Sequence, residues 1–154
     1  MNHEDTSCRR RSRRSLAQPA AAITFPSLTT IYIGSGVVDD GGPDNVGEAT
    51  TFHCTNVSGV AAQVRFLVLG GMVPVSRTVN VQHGETTTAS THPVAAYFEK
   101  ADLDTGFVGE GAINIESTQS GVFCSAKSVS AAAGFPDGVL LPLVRVNPHP
   151  GTVE

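Results

Sequence analysis

From Ile23 onward the apolar side chains recur at every second position, and this spacing constrains the fold more than any other feature of the chain. In ATTFHCTNV, Ala49 to Val57, Phe52 and Cys54 share one face while His53 and Thr55 take the other. In AAQVRFLVLG, Val64, Phe66 and Val68 lie opposite Arg65, Leu67 and Leu69, which reads as a central strand. VPVSRTVNV sets Val73, Val75, Val79 and Val81, interrupted by Arg77, against Ser76, Thr78 and Asn80. Pro74 assigns that run to a sheet edge or a bulge, because proline cannot donate to the ladder.

Further strands are expected at TTIYI (Thr29 to Ile33), TTTAST, AINIES (Ala112 to Ser117), GVFCSAKSVS (Gly121 to Ser130) and VLLPLVRVN (Val139 to Asn147). PVAAYFE (Pro93 to Glu99) reads as a strand or a short helical turn. Sixteen Gly and nine Pro among abundant Thr, Val and Ser supply the turns between them. No amphipathic helix emerges. The expectation is an all-β, antiparallel sandwich of about 8–9 short strands in one domain, residues 23–147, with 148–154 a frayed tail.

Charge divides the chain. Residues 1–22 carry five Arg against two acids, whereas residues 23–154 carry five Lys or Arg against twelve Asp or Glu, a net of −7. The first segment is either a disordered basic tail or a degenerate export signal: SRRSLA and Ala20-Ala21-Ala22 are there, but the apolar stretch between them is not. A third reading makes its arginines an arm for nucleic acid or anionic surfaces. The acidic body repels phosphate backbones, so the folded domain is not expected to bind nucleic acid. No run reaches the roughly 18–20 apolar residues of a membrane-spanning helix.

Cys54 and Cys124 each fall mid-strand in the phase of apolar neighbours, so both should point into the core. Two readings follow: a disulfide between the two sheets, or two buried free thiols. The bond would place the protein in a secreted, periplasmic or cell-surface compartment; an unprocessed N-terminus would place it in the cytoplasm. Around these cysteines the chain resembles immunoglobulin-like β-sandwich domains of the bacterial type. Phe66 stands twelve residues after the first cysteine, where that fold has its core Trp, and VFCSA resembles its second-cysteine strand. Val122 stands where the tyrosine corner would be. The resemblance spans Thr50 to Ala126 and implies a sandwich and no activity.

Candidate chemistry is sparse. VVDDGGPDNVGE gathers Asp39, Asp40, Asp44, Asn45 and Glu48 on a glycine-rich loop, the hard oxygen ligands that calcium takes; an ordinary acidic turn is the alternative. Glu99, Asp102 and Asp104 form a second, weaker set. His53, His83 and His92 have no metal-site spacing and are expected to be solvated. Asn56-Val57-Ser58 matches the glycosylation triplet. No G-x-S-x-G elbow or phosphate-binding loop is present, and a non-catalytic module for binding, adhesion or structural assembly is expected. Its polar strand faces, Thr51, His53 and Thr55 with Ser76, Thr78 and Asn80, suit contacts to a protein or glycan. A carbohydrate or small-ligand module is the alternative, with Tyr32, Tyr97, Phe98 and Phe107 as its candidate aromatics. Open sheet edges would also permit strand addition between chains, discouraged at one edge by Pro74 and Arg77.

Overall fold

The computed structural model describes residues 26–135 and 137–146; the basic segment 1–22 and the tail 148–154 lie outside them. Among the described residues there are ten strands and no helix: β1 (Thr29–Asp39), β2 (Glu48–Asn56), β3 (Ala62–Leu69), β4 (Val75–Val81), β5 (Thr86–Ser90), β6 (Ala101–Asp102), β7 (Val108–Ser117), β8 (Val122–Ser130), β9 (Gly138–Leu141) and β10 (Leu143–Arg145). They form two five-stranded sheets, A in the order β10-β1-β7-β3-β4 and B in the order β6-β5-β2-β8-β9. All pairings are antiparallel except the two-residue β5–β6 contact.

The alternation read from the sequence becomes the core. Phe52 and Phe66 project from opposite sheets and meet with ring centroids 6.1 Å apart. Ile31, Val64, Val68, Leu103, Ile113 and Ile115 pack around them, all essentially buried. Each such side chain withdraws enough apolar surface to stabilise the fold by about 1.5–3 kcal/mol. β3 is interior to its sheet, and β4, which follows Pro74, is its edge. Leu141-Pro142-Leu143 is not one continuous strand. Pro142 ends β9 in sheet B, and the chain resumes as β10 in sheet A, closing one flank of the sandwich. On the other flank Arg77 Nε donates to the Asp102 carbonyl, from β4 to β6.

Three expectations are corrected. TTIYI does not stop at Gly34-Ser35-Gly36: β1 runs on to Asp39, absorbing that stretch through register shifts against β7, with Gly36 at φ 84°. Pro93–Glu99 is neither strand nor helix but an irregular segment with a turn at Val94–Tyr97. Cys54 and Cys124 are disulfide-bonded, but within sheet B rather than between sheets. They are direct partners on β2 and β8 with Cα atoms 4.2 Å apart, near the roughly 4.5 Å of a non-hydrogen-bonded antiparallel pair. Facing the core does not by itself distinguish a bridge across the core from one along it.

Candidate functional site

Two regions collect polar side chains. The first is the end of the sandwich where β1 runs into the acidic loop. Asp39 is buried, 1% exposed, and its carboxylate is fully engaged. Oδ1 accepts from the Gly41 N–H at 2.7 Å, and Oδ2 accepts from Thr105 Oγ1 at 3.0 Å and faces His92 Nδ1 at 3.0 Å. His92, 6% exposed, has Nε2 3.1 Å from the Val46 carbonyl. A carbonyl only accepts, so Nε2 is the donor to Val46, and the second ring nitrogen pairs with the Asp39 carboxyl. The expectation of three solvated histidines therefore fails at His92, because Asp39 and Val46 supply the partners that burial demands. Exposed His83 fits it; there Nδ1 accepts from the Gly59 N–H at 3.1 Å.

Of the five residues read as a calcium set, the fold brings Asp39 and Asp40 together with His92, their ligand-capable atoms within 4.8 Å of one another. Asp44 does not join them. Asn45, at φ 59°, instead uses its N–H to bond the Pro93 carbonyl at 2.9 Å. The N–H groups of Gly42 and Glu48 hold the exposed Asp40 carboxyl below the usual range. The second acidic loop reaches the same end, because Thr105 bonds Asp39. Burial raises the Asp102 carboxyl, against the Asp104 N–H and with Asp104, Asp44 and Glu99 adding repulsion. These bonds close on themselves. They tie β1, the 40–47 loop and the segments around His92 and Thr105 into one unit.

The second region is the outer face of sheet B. Strand register arranges its side chains in rows across β5, β2 and β8: Thr86–Thr55–Phe123, then Thr88–His53–Ser125, then Ser90–Thr51–Lys127. Segment 93–99 folds over the last row. Val94 is buried with Ala49, Val129 and Ala131 in a small second core, and Ala96 and Tyr97 pack against it. Thr51 is consequently buried rather than presented to solvent, contrary to the sequence reading.

The segment brings the Tyr97 ring edge-on to His53, centroids 4.8 Å apart, with Lys127 Nζ 5.3 Å from the tyrosine centroid. His53 Nδ1 lies 3.0 Å from Thr88 Oγ1, and Thr55 and Thr86 hydroxyls bond at 2.8 Å. Burial lowers the His53 pKa, and the Lys127 cation lowers it further, against a smaller rise from Glu99. At the far end Phe123 is 52% exposed, and the Arg145 guanidinium lies 4.8 Å from its centroid. Arg145 is fixed by the Ser120 carbonyl at 2.7 Å and lies 5.7 Å from the Tyr32 ring. Fully exposed Phe135 stands at the rim, where it lines a cleft with Tyr97 and Asp137.

Hydroxyls, an imidazole, aromatic rings and two cations thus share one strand-built surface. Of the residues read as candidates, His53, Thr55 and Tyr97 reach it; Phe98 is fully exposed, Tyr32 is buried, and Phe107 packs beside Gly41 at the acidic end. Ser76, Thr78 and Asn80 are exposed on β4 in the other sheet. Phe123, Ser125, Lys127 and Arg145 reach the sheet B face as well. The outward phase of GVFCSAKSVS, opposite Cys124, is the signal that identifies the first three. Compared with family models, curated proteins and solved structures, the chain matches none of them.

Proposed function

We propose that this protein is a non-catalytic binding module of an extracytoplasmic compartment, and that it engages its partner across the outer face of sheet B. One observation carries the reading: the disulfide and the polar face are the two sides of the same strand pair. On β2 inward Cys54 is flanked by outward His53 and Thr55, and on β8 inward Cys124 is flanked by outward Phe123 and Ser125. The staple fixes the spacing of the side chains that face solvent, so the surface is preorganised at little entropic cost on binding. The bond also suits an oxidising compartment.

Among the described residues no helix is long and apolar enough to cross a membrane. Carbohydrate chemistry suits the face better than an apolar protein contact. Its rows offer Thr and Ser hydroxyls and an imidazole, with rings at intervals, rather than a continuous apolar patch.

The test is amide chemical-shift mapping with neutral, basic and acidic soluble polysaccharides. The reading requires that responses cluster at His53, Thr55, Thr88, Phe123 and Ser125, and that Phe123→Ala abolishes them while Thr78→Ala on sheet A does not. Responses confined to sheet A, or none with any polymer, would overturn it.

A further inference from the structure

Resting on that reading, we infer that the ligand is an acidic polysaccharide, a uronate- or sulfate-bearing chain whose negative groups are met by Lys127 and Arg145. The inference starts from the scarcity of cations. Residues 23–154 hold five Lys or Arg against twelve Asp or Glu. Two of the five are neutralised by carboxylates, Arg65 by Glu116 and Lys100 by Glu85. Arg77 is used at the opposite flank, where it reaches the Asp102 carbonyl. Lys127 and Arg145 make no ion pair with a described carboxylate, and both lie over aromatic rings of the same face, Tyr97 and Phe123. An acidic protein thus keeps its two unneutralised, ring-supported cations on one surface.

Their placement suits an extended, intermittently charged ligand. Lys127 and Phe123 lie four residues apart on β8, about 13 Å at strand rise. Between them run Ser125 and His53, with Thr55, Thr86 and Thr88 alongside. A polyuronate, with a carboxylate and free hydroxyls on each sugar, can set one carboxylate at each cation and hydroxyls between them: anion, hydroxyls, anion. Arg145, held by Ser120, offers its planar fork to a carboxylate or sulfate, and Lys127 offers a point charge.

Nucleic acid fits poorly: a duplex carries one charge per about 1.7 Å, a density that two cations cannot meet against a body of net charge −7.

Calorimetric titration of the folded, oxidised protein with alginate, neutral dextran and duplex DNA tests this. Alginate is expected to bind, more weakly as salt is raised, and Lys127→Gln and Arg145→Gln each to reduce affinity by roughly 10- to 100-fold, the range for a lost charge-assisted hydrogen bond. Arg145→Lys, which keeps the charge if the Ser120 contact proves structurally necessary, should recover much of the loss, and Ser76→Ala should change nothing. Alginate affinity untouched by both charge removals overturns the inference. So does dextran or DNA binding equal to alginate. Dextran shifting His53 and Ser125 as strongly as alginate would leave the sheet B reading standing and remove only the acidic ligand, whereas no polymer shifting that face removes both.

Discussion

Cys54 and Cys124 face one another as direct partners on adjacent strands, so the disulfide stitches the centre of sheet B and does not cross-link the two sheets. The sequence separation is 70 residues, for which the chain-entropy argument gives about 4 kcal/mol from restricting the unfolded state. Cys54→Ala/Cys124→Ala is therefore expected to unfold at lower urea, by about 2–4 kcal/mol, while keeping its β circular dichroism. Alkylation of the unfolded, unreduced chain, followed by peptide mapping, should label neither position; labelling of both would refute the bond.

The buried Asp39–His92 contact makes a second expectation. Removing one partner leaves the other buried without its hydrogen bond, which costs about 1–3 kcal/mol. Asp39→Asn and His92→Leu should each lower stability on that scale in denaturant melts. Because the pair couples to one network, the double variant should cost less than the two losses added, a coupling that a double-mutant cycle reads directly.

Phe66→Ala supplies the test of the sandwich core. The ring is fully buried against Phe52 from the other sheet, and truncation there costs about 3–5 kcal/mol. A loss below 1 kcal/mol would contradict the packing of the two sheets through these rings.

Much of this architecture is legible in the chain because strand phase is a local property. Phe52, Val64, Phe66, Val68, Ile113 and Ile115 all lie inward where alternation puts them. What alternation cannot convey is which strands become neighbours, and the disulfide shows the consequence. Cys54 and Cys124 have the phase of core residues whether the bridge spans sheets or joins two strands of one. The same gap hid the site. Thr51 has the phase of an outward residue, yet segment 93–99 covers it, and only the fold of that segment brings Tyr97 to His53 and Lys127. His92 precedes a proline in a turn-like string, which reads as solvent-exposed until Asp39, 53 residues away in sequence, meets it.

His53 gives the final expectation, and its sign follows from burial. Its pKa lies below the ordinary 6.5, with burial the largest cause and Lys127 the next. The unfolded chain then binds the proton more readily than the folded one, so the stability associated with neutral His53 is present above pH 6.5 and is lost as pH falls through 6.5 toward the folded value. His53→Gln should flatten that part of the stability–pH curve. In imidazole NMR titrations, Tyr97→Ala should move the His53 pKa up toward 6.5 by admitting water, and Lys127→Gln should move it the same way by removing a neighbouring cation. Glu99→Gln should move it down, since that carboxylate favours the imidazolium. A His53 that titrates identically in all three variants would show that segment 93–99 does not cover the face as described.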